Sequence, residues 1–222
     1  MRLKWYRVTR PDVVTKGNPF RQIWVDADAI TTSLQPGSLN QEDHFAPIRN
    51  GIFCKYSAVG LVEDGDWDTK VKGRGQRKGL LFHALEDRYF ERTAWEDTEF
   101  FSWVVEQTGK GLRPWNGCRN HNDILRRCAR ADRLIQSIKR HGFRENADPV
   151  VVCIGADGSL IKAGNGQHRI MLGLITGRKI PVLPIVRHKK WEDLRRGEAK
   201  LRTMHFEHPD LAKSTAMSHL PD

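Results

Sequence analysis

The sequence is short of cysteine, of carboxylates and of long apolar runs, and each shortage closes off a class of protein. Cys54, Cys118, Cys128 and Cys153 are spread over 222 residues with no Cys-x-x-Cys pair, so a zinc ribbon is not expected. Cys128 and Cys153 sit inside apolar patterns and read as core residues, and nothing in the spacing calls for a disulfide. No stretch approaches the length of a membrane span. The opening Met1-Arg2-Leu3-Lys4-Trp5-Tyr6-Arg7 has no apolar segment behind its charges, so a secretory signal is not expected either. A cytoplasmic protein without a membrane partner is the expectation. Nine histidines make no His-Glu-x-x-His or other spaced ligand set. Internal repeats and low-complexity tracts are also missing.

Acidic residues are the scarcer sign, with 27 Asp/Glu against 37 Lys/Arg and a net charge of +10. The location of the excess matters more than its size. Residues 119–144 hold eight Lys/Arg against two Asp/Glu, and residues 187–202 hold seven against three. Two concentrated basic segments point to an anionic partner such as nucleic acid, nucleotide or acidic glycan, with two solvated helix faces as the plain alternative.

Hydropathy patterning gives the organisation. Residues 23–34 read as a strand running into a turn at Gln35-Pro36-Gly37, and the stretch to about Gly60 as loop with short strands. Residues 63–79, rich in Gly, Asp, Lys and Arg, read as an exposed loop. Helices are expected from Leu80 to about Glu91 and from Thr93 to about Gln107, the second opening on the capping-box form Thr93-Ala94-Trp95-Glu96. Trp95, Phe100, Phe101 and Trp103 read as packing residues rather than a base-stacking platform. After a loop at Pro114, Asn116 and Gly117 comes the clearest element. Ile124, Cys128, Ala131, Ile135 and Ile138 recur at spacings of four and three, which sets them on one helical face between an Asn122 cap and a Gly142 stop. Arg126, Arg127, Arg130 and Arg133 fall largely off that stripe.

A compact α/β unit follows. Residues 149–154 and 159–163 read as strands around an Ala156-Asp157-Gly158 turn. Residues 167–176 read as a helix ended by Gly177, residues 180–186 as a strand, and residues 189–201 as a last helix before an irregular tail. The division is 1–79 strands and loops, 80–142 a helical lobe, 143–203 the α/β unit and 204–222 the tail. The fold class is α/β (α+β), a small mixed sheet with a helical insertion.

The chemistry concentrates at Gly164-Asn165-Gly166-Gln167-His168-Arg169. Two glycines let backbone approach a ligand. The loop opens a helix whose first N–H groups lack internal acceptors and whose dipole favours anions. Arg169 can add a bidentate fork to phosphate oxygens and His168 a further donor.

The succession of a helix ending Leu134-Ile135-Gln136-Ser137-Ile138-Lys139-Arg140-His141-Gly142, then Pro149-Val150-Val151-Val152, Asp157-Gly158, the glycine loop and Ile180-Pro181-Val182 resembles the ParB/sulfiredoxin superfamily over about a quarter of the chain. The resemblance implies that the Gly-x-His-Arg box binds nucleotide phosphates, with Gly166, His168 and Arg169 as contacts. The departures narrow it. Sulfiredoxin has its reactive cysteine where this chain has Gln167, and ParB has two arginines where this chain has His168 and Arg169. About forty residues follow Ile180, too few for ParB's helix-turn-helix and dimerisation regions. Gly65-Asp66-Trp67-Asp68, Trp95-Glu96-Asp97-Thr98 and Arg187-His188-Lys189-Lys190-Trp191 resemble segments of ParB-like proteins of unknown role.

The resemblance therefore implies a nucleotide-binding protein that uses ATP, ADP or CTP with Mg2+ for phosphoryl transfer or hydrolysis. Such chemistry needs carboxylates, and the cluster Glu63, Asp64, Asp66 and Asp68 is the sequence's offer. Thr69 and Gly75 stand where a calcium loop needs glycine and glutamate, so an EF-hand is rejected. Asp66 and Asp68 are expected as metal ligands or catalytic groups and His168 as a catalytic group, provided that the fold brings the cluster to the loop. The second reading is a DNA- or RNA-binding, nuclease-like protein that uses Arg126, Arg127, Arg130 and Arg133.

Overall fold

The computed structural model describes residues 13–16, 18–35, 59–145, 149–198 and 208–211. Valine- and isoleucine-rich runs form its centre. β5 (Val150–Ile154) and β7 (Ile180–His188) are buried along their whole length and pair in parallel. Strands buried on both faces read as continuous apolar runs, as these do. β6 (Leu160–Lys162) turns back antiparallel on β5, and β2 (Thr32–Leu34) and β4 (Val71–Gly73) extend the sheet beyond it. On the other side of β7 lie β1 (Ile23–Val25) along its first half and β3 (Leu61–Glu63) along its end. The result is a seven-stranded mixed sheet in an α+β fold. Pro184 has no N–H to give the ladder, and the β5–β7 register slips just after its pair with Val152.

The strand expected over residues 23–34 is in fact two, parted by a 3-10 turn at Ala27–Ala29. The segment expected as exposed loop, 63–79, contains an edge strand and a 3-10 turn, Trp67–Thr69, whose tryptophan is buried. Alternation was hidden there because these strands are three residues long. The Pro36-Gly37 turn and the stretch to Ala58 lie outside the described residues, as do Cys54 and most of the tail.

The helical lobe comprises α1 (Leu80–Phe90), α2 (Glu99–Gly109) and α3 (His121–His141). The expected capping box at Thr93 does not form. Thr98 caps α2 instead, its hydroxyl accepting from Phe101 N at 3.2 Å. The cap of α3 is Asn120 rather than Asn122, with its side chain accepting from Asp123 N at 2.9 Å. In both cases an oxygen-bearing residue nearer the true first turn takes the free N–H. The five-residue stripe of α3 is buried as its spacing requires. α4 (Gln167–Thr176) joins the two layers: Ile170 packs on the sheet, while Met171 and Leu172 pack into the lobe with Trp95, Phe100 and Phe101.

Four cations of the second basic segment are paired within the fold. Arg187, at the end of β7, pairs with Asp210 at 2.6 Å, both buried. On α5 (Lys189–Arg196), Arg195 and Arg196 turn onto the buried carboxylate of Glu192, and Lys189 pairs with Asp193. These charges fasten residues 14–16 and 208–211 to the sheet rather than face a partner. Among the described residues no helix is long and apolar enough to cross a membrane.

Candidate phosphate-binding cleft

The 164–169 loop leaves β6 and opens α4. The first helical bond is Ile170 N to Gly166 O at 3.0 Å, so the N–H groups of Gln167 and His168 precede it and have no helical acceptor. Gly166 has φ +117, and a Cβ there would lie 2.9 Å from Val150 Cγ2 and 3.0 Å from Val150 Cα. Its bare Cα serves the approach of the loop to β5. Ligand access alone, the role expected from sequence, does not account for it.

Facing the loop is α3. Gly164, Asn165, Gly166, Gln167, His168 and Arg169 form one side of a cleft of about 890 Å³, and Arg127, Arg130 and Arg133 with Ala131 and Leu134 form the other. Lys162 and Asn116 complete the lining. The two signals read separately in the sequence, the glycine loop and the arginine face, thus share one cavity. Its lining includes no Asp or Glu. Arg130 and Arg133 are exposed and carry no ion pair among the described residues.

Burial lowers the pKa of Lys162, with the Arg74 charge adding to the effect. Arg74, also pushed down by burial, stands behind the loop. It donates to Ser33 Oγ at 2.7 Å and to the Gln167 side-chain oxygen. The Gln167 side chain is therefore held from behind by Arg74.

His168 departs from its expected role. Trp115 Nε1 lies 3.1 Å from His168 Nε2. An indole N–H only donates, so Nε2 must accept and the ring proton sits on Nδ1. Burial, and then the charges of Arg127, Arg130 and Arg169, push His168 down to about 4. The ring is neutral, and the lone pair a general base would use is occupied. What remains is one donor, Nδ1–H. Trp115 itself has φ 42 and Asn116 φ 58, an uncommon pair of left-handed non-glycine residues. Between them they aim the indole at His168 and bring Asn116 O to accept from Arg127 at 2.9 Å.

That arrangement makes a prediction. Nitrogen NMR of His168 should show the Nδ1–H tautomer, and Trp115→Phe should unlock it at a cost of about 1 kcal/mol in stability. A dominant Nε2–H form in the parent protein contradicts the assignment. The unfolded chain takes up the His168 proton first, since its pKa is the ordinary 6.5 against about 4 when folded. Stability should therefore fall as pH drops from about 6.5 to about 4, by at most roughly 3 kcal/mol because the ring is only partly buried.

Asp66 and Asp68 are not brought to the loop. Asp68 Oδ2 accepts from Ala156 N at 2.7 Å, in the turn after β5, whereas Gly166 packs on Val150 at the start of that strand. Five residues at about 3.3 Å each put roughly 15 Å between them. Asp66 is exposed and pairs with Lys70 at 2.9 Å, which holds its carboxyl below the usual range. Asp64 lies 3.9 Å from His188 Nε2 at the same far end. The metal and catalytic roles expected for Asp66 and Asp68 are corrected on this geometry. Among the described residues no three His, Cys, Asp or Glu groups cluster as a metal site.

Lys162, Arg74 and Trp115 were missed in the sequence. Lys162 had a usable signal, a lone cation two residues before Gly164 on a strand. Arg74 had none. Comparison of the chain with family models, with curated proteins and with solved structures finds no match.

Proposed function

We propose that the chain is a nucleotide-binding protein that holds the phosphates of ATP, ADP or CTP between the 164–169 loop and the arginine face of α3. One observation carries the reading: a helix N-terminus and the side chains Arg127, Arg130, Arg133, Lys162 and Arg169 line one cleft with no carboxylate among them. Neighbouring like charges repel each other when the cleft is empty, and a polyphosphate relieves that repulsion. Every strong group there donates, which a neutral ligand of mixed polarity would leave partly unanswered. Cations fixed around a phosphoryl group also favour charge moving onto its oxygens, so transfer or hydrolysis is the chemistry such a cleft would assist. The lining offers magnesium no carboxylate, so the metal would enter on the phosphates and is assigned no ligand from Asp66 or Asp68.

A thermal-shift panel of ATP, ADP, CTP and GTP, with and without magnesium, tests the reading. At about a hundredfold excess over Kd, a binding nucleotide should raise Tm by roughly 5–10 °C. Asp66→Asn and Asp68→Asn should keep the shift and Arg169→Ala should lose most of it. No shift with any nucleotide overturns the reading.

A further inference from the structure

The cleft does not stop where one nucleotide would. A second hollow of about 350 Å³, lined by Gly117, Cys118, Arg119, Asp123 and Arg126, shares Arg127 and Arg130 with the first. We infer that the joined clefts take the phosphate-bearing end of a single nucleic-acid strand. The terminal phosphate would sit on the 164–169 loop and the next phosphodiesters along Arg130, Arg127 and Arg126. This rests on the loop being a phosphate site and names the ligand class that fills the rest of the groove.

Three observations favour a strand end. First, the donors converge at the loop. Gln167 and His168 at the helix N-terminus, Arg169 and Lys162 all line the inner cleft. That number suits a phosphate monoester, which has three terminal oxygens and nearly two charges, better than a diester with one charge. Second, the loop is backed by β5, with Gly166 against Val150, so it offers a strand's terminal phosphate a fixed wall on that side. Third, Arg126 to Arg133 spans seven residues of α3, roughly 10 Å along its axis. That length exceeds one phosphate and reaches at least one further phosphate of an extended strand. A mononucleotide leaves the outer part unused.

The outer hollow is not uniformly positive. Asp123 lies in it, 3.1 Å from Arg126 and 3.4 Å from Arg119. Four arginines against one aspartate still leave a net positive track, and Asp123 orients two of them. No exposed aromatic lines either hollow, since Trp115 is buried beneath the floor. Stacking is therefore absent from the described lining, and binding carried by the phosphates should depend little on sequence.

The test uses short single-stranded oligonucleotides of one sequence, as DNA and as RNA, with a 5′-phosphate, a 3′-phosphate or hydroxyl ends, beside ATP as the mononucleotide probe. Affinities are measured by fluorescence anisotropy from about 50 to 200 mM salt, the range over which phosphate contacts are lost. One phosphorylated end should bind about tenfold or more tightly than hydroxyl ends, the ratio one hydrogen bond to a charged group supplies. Arg119→Glu combined with Arg126→Glu should weaken the strand about tenfold and shallow its log–log salt slope by about 0.7 per lost contact. ATP affinity in that variant should stay within about twofold, and Arg169→Ala should weaken both ligands. The DNA and RNA arms identify which strand is the natural source. Equal affinity for phosphorylated and hydroxyl ends, or an unaffected strand in the double variant, overturns the inference. ATP binding without strand binding overturns it while leaving the nucleotide reading intact, and binding of neither overturns both.

Discussion

Arg130→Glu combined with Arg133→Glu is expected to weaken nucleotide binding by about a hundredfold or more. The two side chains stand opposite the glycine loop, exposed and without an ion pair among the described residues. Their removal therefore breaks no described ion pair, and the effect should fall on the ligand. Each lost hydrogen bond to a charged phosphate is worth roughly 1.5–3 kcal/mol. Two together give roughly 3–6 kcal/mol, or about a hundred- to ten-thousandfold in Kd. The introduced carboxylates add repulsion in the same direction. Melting of the unliganded protein should not fall, since two of the five cationic side chains that crowd the cleft are gone. The variant carries its own internal readout. Burial first, and then the charges of Arg127, Arg130 and Arg169, hold His168 at about 4, so loss of the Arg130 charge should move the His168 titration up. Unchanged nucleotide affinity in a folded double variant, read by calorimetry, would detach α3 from the site.

Gly166→Val should be the most damaging single change to the fold near the cleft, with an expected loss of roughly 3 kcal/mol. A φ of +117 is strained for any residue with a Cβ, and the new atom would meet backbone as well as side chain of Val150, at 3.0 and 2.9 Å. The Val150 backbone cannot rotate away freely, because it is paired with Val182 of β7. Backbone strain contributes of order 1–3 kcal/mol and overpacking a similar amount. Chemical denaturation measures it, and a midpoint equal to the parent's would show that β5 and the loop are not in contact. Gly164 provides the contrast. The nearest atom to a Cβ there is Val151 Cβ at 3.4 Å, close to ordinary contact, so Gly164→Ala should cost well under half as much.

The elements that could be read from sequence were those whose period repeats often enough to register. α3 repeats its apolar step through five residues, and β5 and β7 are runs of valine and isoleucine too short or too β-branched for helix. α4 is bounded by Gly166 and Gly177, both left-handed, and its limits emerged as expected. What escaped was short or depended on partners distant in the chain. β2, β3 and β4 have three residues each, and their strand character comes from the neighbours they pair with. The loop's donors were legible because a glycine turn into a helix has local chemistry. The location of its opposite wall was not, since only packing of α4 into the lobe brings Arg127, Arg130 and Arg133 over it. The same limit misplaced Asp66 and Asp68, whose spacing suggested ligands while the strand order carried them to the far end of β5. It also hid the difference between the two basic segments: one turns Arg187, Arg195 and Arg196 onto buried carboxylates, the other leaves Arg130 and Arg133 facing a cleft.

Arg187 shows why that difference matters for experiment. It lies in a basic segment outside the loop, yet it is buried, and its replacement would strand Asp210 in the core at a cost of several kcal/mol. Exposed Arg126 is the sounder control for mononucleotide binding, since it lies beyond the inner cleft.

The central claim is that the 164–169 loop is a phosphate site, and calorimetric titration of the parent protein and Arg169→Ala with ATP, ADP and CTP tests it most directly. The account predicts that at least one nucleotide binds the parent and that Arg169→Ala weakens it about ten- to a hundredfold, the scale for losing a charged hydrogen-bond fork. Binding of every nucleotide by Arg169→Ala as tightly as by the parent, or no binding by the parent, would contradict it.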